Sequence, residues 1–479
     1  MKKNFLFVLT FISLLLILVG CEDDVKGPVV DNENYGFESA SIADVFVNTC
    51  ASSGCHNGPN PAGGLSTENY SKLLSGSVNR DPAKANGFGG EVVIPFNSEK
   101  SLLYQLLKGN VTPVEPHQNI NISQERITEI KDWIDNGARH YYGNVPSANP
   151  SYRVFVCNQA SDIISVIDGD NKIVSRIANV DFNPTIDAPH MVKEFDEFYY
   201  VTLISANKFL KIRKSDNQIV GETNGIDKAG MIQISPDGTK AFVSRSSTSA
   251  GIYNSVFAIS LSDMSIITEI SMPVTGVPHA LAITPDGKKL YVANLTKDRI
   301  SIINTETYEF VDDIILDQGT EPMEATISPD GNYLYVSGMG NNKLIVIDTQ
   351  TEQVVTSVDV NHMPMHIAVS SNGAKIYVAT MMMSTVDVIE KSGNNWIRTG
   401  RISHPGFNML HGCDLSPDDK YLYVSSRNLN GNYQPKFKIN GEGNNGTLGI
   451  INTATLQVEK ILDLKEFPSG LVVEALHQN

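Results

Sequence analysis

"TPDGKKLYVANLTKDRISIINTETYEFVDDIIL", residues 284–316, decides the fold. It opens on a turn in which Pro285 fixes the first corner and Gly287 supplies a positive φ. "KLYVAN" (289–294) follows as a strand, and "RISIINTETYEFVDDIIL" (299–316) as strand, turn and strand. The phrase recurs as "RVFVCN", "FYYVTL", "KAFVSR", "YLYVSG", "KIYVAT" and "YLYVSS". The central valines stand at 156, 201, 243, 292, 336, 378 and 424, with spacings of 45, 42, 49, 44, 42 and 46. A strand-rich unit repeating at that interval is one four-stranded blade of a propeller, and seven phrases predict seven blades over residues 152–479.

Ring closure is legible too. "VPHALAI" (277–283) is the innermost strand before "KLYVAN"; nothing similar precedes "RVFVCN", whereas "FPSGLVVEA" (467–475) is similar to it. The C-terminal strand is therefore predicted to complete the first blade. Residues 152–475 resemble the YVTN family of seven-bladed propellers, which implies a fold and says little about function.

The first residues of the innermost strands are expected to face the central channel. Counting back six from the proline position of each turn gives His279, Met323, Met365 and His411, with Gly230; flanking sequence adds His190 and Ser469. His190, His279, His411, Met323 and Met365 form a set of soft ligands for copper, or a surface for a second haem, against the plain alternative of packing. "TMMMST" (380–385) reads as loop packing or a copper box. The polar insert 428–446 reads as a docking loop or a mobile excursion.

Before the propeller the apolar period becomes 3.6. Ile42, Val45, Phe46 and Thr49 share a helix face that delivers Cys50, and "SEKSLLYQLLKGN" stops at Gly109. A last helix starts at the cap Ser123 and carries Ile127, Ile130, Trp133 and Ile134 as a stripe. The expected organisation is multidomain: a small all-α unit at 37–142, a linker at 143–151 and an all-β propeller.

"NTCASSGCHNG" (48–58) closes the first helix. Covalent haem attachment needs two thiols for thioethers and an adjacent histidine for iron. Cys50, Cys55 and His56 supply them, and the four residues between the cysteines lengthen only an outward loop. A Cys50–Cys55 disulfide or a zinc site are the rival readings. Together with "GGLSTENYSKLLSG", "VVIPFNSEKSLLYQLLKG" and "ISQERITEIKDWIDNGA", the motif resembles the small cytochrome c domains fused to envelope proteins. That resemblance implies one covalent haem c with His56 as proximal ligand, and a distal ligand, usually methionine, in the loop before the last helix. No methionine stands between Met1 and Met191, so the sixth position falls to His117 in "TPVEPHQNINIS", to His140, or stays open.

"MKKNFLFVLTFISLLLILVGC" has the charge order of a secretory signal (1–20) and an apolar run short for a membrane span. "LVGC" (18–21) resembles the lipobox of bacterial lipoproteins, which implies lipid on Cys21, a tether at 21–36 and membrane attachment in the cell envelope, at the periplasmic face or the cell surface. In that oxidising setting Cys157 and Cys413 are available to pair. With 53 acidic against 37 basic residues and a net charge of -16, nucleic acid is excluded as a partner.

These readings combine into a lipid-anchored c-type cytochrome that passes electrons to a redox partner protein, the propeller serving as docking or recognition platform. No acid–base constellation is visible, so an electron carrier is expected before an enzyme. The alternatives are an oxidoreductase with a metal or second haem at the propeller centre and a surface binding module. The first has an architecture similar to dihaem nitrite reductases, whose propeller has eight blades.

Overall fold

The computed structural model describes residues 33–474 apart from 53, 77–91, 116, 120 and 247–253. The signal segment, Cys21 and the tether up to residue 32 lie outside the described residues. Seven four-stranded antiparallel sheets form a seven-bladed propeller. Each recurring phrase is the second strand of its blade, residue for residue: Arg153–Asn158, Phe198–Leu203, Lys240–Arg245, Lys289–Asn294, Tyr333–Gly338, Lys375–Thr380 and Tyr421–Ser426. The aromatic residue before each central valine explains the repetition. Phe155, Tyr200, Phe242, Tyr291, Tyr335, Tyr377 and Tyr423 are at most 2% exposed and belong to the core clusters.

The ring closes as expected: Pro468–Val473 pairs with Arg153–Asn158, Val156 opposite Leu471 and Val154 opposite Val473. Each "SPDG" turn is tied by its own side chains. Ser328 Oγ donates to Asp330 and accepts from Tyr333 N at 2.9 Å. Gly331 sits at φ 75°, and a Cβ there would come within 3.0 Å of Pro285 in the preceding blade, so this corner admits only glycine comfortably.

Every innermost strand carries a β-bulge within its first residues. Four phrases place a hydroxyl after the valine, and that hydroxyl accepts the N–H freed by the bulge: Thr202 from Met191, Ser244 from Met231, Ser337 from Glu324 and Ser425 from Gly412, at 2.8–3.2 Å. Three of them also donate to the next blade, at Gly230 O, Met365 O and Ser469 O. The bulges turn an extra residue of each strand toward the axis.

A helical unit precedes the propeller. Tyr141 N donates to Gly36 O and Phe37 pairs with His140, which ties its two ends together. Phe37, Phe46, Tyr70 and Trp133 form its aromatic core, with Phe37 stacked on Phe46 at 4.9 Å. The helix Gln124–Asp135 starts at Ser123 and buries the four residues of its stripe. The first helix differs from expectation. Ala40–Ala43 is α-helical, but Asp44–Cys50 is π-helical, with Ala51 N bonded to Phe46 O; the wider turn carries Thr49 off the buried face.

The helical unit docks on blades 1 and 7. Ile94 enters the core they share, and the Arg176 guanidinium lies 5.1 Å from the Phe96 ring. The insert of blade 7 completes the contact: Lys438–Ile439 pairs antiparallel with Val111–Thr112 of the helical unit. It is anchored from below by the Tyr433 hydroxyl on Asp463 and by Lys465 on Glu442 at 3.0 Å. The insert is thus a docking loop.

Candidate functional site

The π-helical turn ends at Cys50, whose carbonyl accepts from His56 N at 3.1 Å. Between them Cys55 N donates to Ser52 O, and Gly54 takes φ 83° with open space around it, so the lengthened gap between the cysteines is spent on an outward turn. Further on, Cys55 O accepts from Ala62 N and His56 O from Thr67 N, which fixes the loop below the cysteines.

Cys50, Cys55 and His56 open onto a cavity of about 290 Å³ walled by Leu65, Val92, Leu102, Leu103, Leu106 and Leu107. His117 enters from the opposite side. The two imidazole rings are parallel within 3°, and their Nε2 atoms face each other at 3.5 Å. His56 Nδ1 lies 3.1 Å from Leu65 O, to which it can only donate; that tautomer leaves the Nε2 lone pair free. His117 Nδ1 is buried with no hydrogen-bond partner among the described residues. Burial, and then His56 and Lys436, hold His117 below the usual histidine range. His140 is elsewhere: it packs edge-on to Tyr70 at 5.0 Å and accepts from Tyr142 N.

Cys50 and Cys55 are both unpaired. Burial, with Cys55 adding to it, pushes the Cys50 thiol up to about 11. The two cysteines and two histidines do not converge on a point. Among the described residues, the one group of three acidic, histidine or cysteine ligand atoms within 4.8 Å of one another is Asp162, Asp181 and Asp187. Those carboxylates brace the fold. Asp162 accepts from Asp187 N and Ala188 N, a role repeated in other blades by Asn207 to Lys228 N, Asp298 to Glu321 N and Asn342 to Met363 N.

At the propeller axis the sequence-derived set splits. His190 lies 6.1 Å from His279 and 6.5 Å from His411, ring to ring. Met323 and Met365 instead join Met381 in a separate apolar cluster, against which Met339, Met363 and Met409 pack. Met382 and Met383 are exposed. The bulges bring in two residues that counting from the turn does not find, Glu324 and His366. The His366 ring lies 4.7 Å from that of His411, tilted by 47°, and its Nε2 is 3.6 Å from Glu324 Oε2. Both atoms of that pair, both His411 nitrogens, His190 Nδ1 and Arg427 Nε are buried without hydrogen-bond partners among the described residues. Burial lowers His190 to about 3 and His279 to about 4, drives His366 and His411 well below the usual range, and raises Glu324 to about 7. A second cavity, about 320 Å³, reaches Glu324 from the other end past Lys193 and Gln233. Cys157 and Cys413 are free and buried in different clusters, so the suggested pairing is not made.

No family model matches the chain, and no curated protein matches it. Solved structures are similar in fold. A functionally unknown protein of Desulfotomaculum acetoxidans has a TM-score of 0.55 at 18% identity, covering 67% of this chain and 99% of its own. A periplasmic gluconolactonase of Pseudomonas aeruginosa has 0.54 at 15% identity, over 68% and 99%. A hydrazine synthase chain of Kuenenia stuttgartiensis has 0.50 at 19% identity, over 63% and 92%. Such identities speak for the shared propeller and not for a shared activity.

Proposed function

We propose that this protein is a c-type cytochrome: Cys50 and Cys55 would hold one haem through thioethers, and His56 and His117 would supply imidazole ligands to its iron. The observation that carries this is the facing of the two imidazoles across an apolar cavity, beside two unpaired cysteines. Two metal–imidazole bonds of about 2.0 Å end to end need roughly 4 Å, so the side chains must part by only about half an ångström. The buried Cys50 favours an uncharged thioether over a thiolate. When bound, the haem would supply single-electron redox chemistry, with a potential lowered by two imidazoles relative to a histidine–methionine pair. Leu65 O orients His56, the leucines exclude water, and the propeller gives a partner protein a surface to dock on. Attachment of the chain to a cell-envelope membrane through lipid on Cys21 belongs to the same proposal and rests on the lipobox.

Protein matured in an oxidising, haem-supplied envelope is expected to give one haem c per chain by pyridine haemochrome, resistant to acid–acetone extraction. His117→Ala should keep that haem and convert its ferric spectrum from low to high spin. Colourless protein, or a Cys50–Cys55 disulfide in the mass spectrum, overturns the assignment.

A second reading, an oxidoreductase with a metal at the propeller centre, is favoured by the unpartnered axial donors. Elemental analysis of the full chain should then find copper or another transition metal beyond the haem iron, near one per chain and lost in His366→Ala. Haem iron alone removes this reading.

A further inference from the structure

We infer that the propeller completes the haem site, with Phe437 of the blade 7 insert acting as the positioning residue for His117; this rests on the haem reading above. The two histidines are held differently. His56 has a hydrogen bond from its second nitrogen to Leu65 O, the support that metal-bound histidines ordinarily have. His117 Nδ1 has no such partner among the described residues, and His117 stands in the irregular stretch between Thr112 and the helix cap Ser123. Packing must set its ring.

That packing comes from the far end of the chain. The Phe437 ring meets His117 edge-on, 5.6 Å between centres at 62°, and both line the cavity. The backbone fixes Phe437 there. Val111 pairs with Ile439 and Thr112 with Lys438, Thr112 Oγ1 donates to Asn440 Oδ1 at 2.6 Å, and Asn440 N donates to Asn110 O at 3.0 Å. The strand beside His117 and the strand after Phe437 are thus one two-stranded sheet, so the ring and the imidazole keep their register. The role assigned to Phe437 is on the distal ligand, whose ring it meets.

The test uses the full chain with Phe437→Ala and Phe437→Leu. Phe437→Ala should keep one haem per chain, while the fraction with the sixth ligand detached rises between about twofold and tenfold, the factor an edge-to-face ring contact is worth. High-spin absorption of the ferric form and the rate of carbon monoxide binding to the ferrous form both report that fraction. Phe437→Leu, which keeps bulk in the same place, should recover most of it. Wild-type spectra and rates in a haem-loaded Phe437→Ala protein overturn the inference and leave the haem reading standing. A wild-type chain that carries no haem removes the reading itself.

Discussion

Acidification from pH 6 to pH 5 is expected to cost the propeller about 1–3 kcal/mol of stability, which is a sizeable part of a typical folding free energy. The cause is the axis. His190, His279, His366 and His411 are buried as neutral rings, all with folded pKa values below the ordinary 6.5. Below pH 6.5 the unfolded chain therefore binds protons that the folded chain refuses. Each such histidine removes about 1.4 kcal/mol per pH unit as pH falls toward 4. Three buried carboxyls act the other way: burial raises Glu324 and Asp463 to about 7 and raises Asp414 as well, so as pH falls toward their unfolded values the folded state takes up a proton first. Four losses against two to three gains leave a net loss of about 1–3 kcal/mol per unit. Urea unfolding followed through Trp396, buried in blade 6, measures it at pH 6 and pH 5. His411→Gln, which cannot charge, should make the slope shallower by about 1 kcal/mol per pH unit. A midpoint that stays level or rises on acidification contradicts the account.

Truncation after Glu466 is expected to abolish the folded propeller. Leu471, Val472 and Val473 are each at most 7% exposed, and burying three such side chains contributes roughly 5–9 kcal/mol. Glu474 also ties Arg153 at 3.2 Å and Lys214 at 3.0 Å, and Ser469 accepts from Ser425 through its carbonyl. Their removal opens the ring and leaves Arg153–Asn158 as an unpaired apolar edge. The shortened chain should be cleaved rapidly by protease and should aggregate, and a peptide of residues 467–479 added in trans should restore resistance. Equal protease resistance with and without the segment would show that the first blade holds on three strands.

The blades were legible because their signal is local and repeated. An aromatic residue and a valine at fixed offsets, with a turn proline before four of them, specify the second strands, and the strand missing before "RVFVCN" had to be found at the C-terminus. Cys50, Cys55, His56 and His117 could be named because their chemistry is unusual at that spacing, and the structure places all four around one cavity. His140 could not be separated from His117 by sequence, since only the fold shows that it is spent on Tyr70 and the Phe37 pairing. Glu324 and His366 escaped because a bulge shifts which residue faces the axis, and a strict two-residue period misses that shift. A trace of it is present in the hydroxyls of "YVTL", "FVSR", "YVSG" and "YVSS", which follow the valine in order to cap the bulge. Phe437 carries no signal at all; its partner is more than three hundred residues away in the chain.

That separation sets an order of events during synthesis. The helical unit ends at residue 142 and is free to fold while most of the propeller has yet to leave the ribosome. Until Phe437 and the strand after it arrive, the flank of the cavity beside His117 has no wall, so the crevice is widest when the nascent chain is young. The last blade to be made is the one that shuts it.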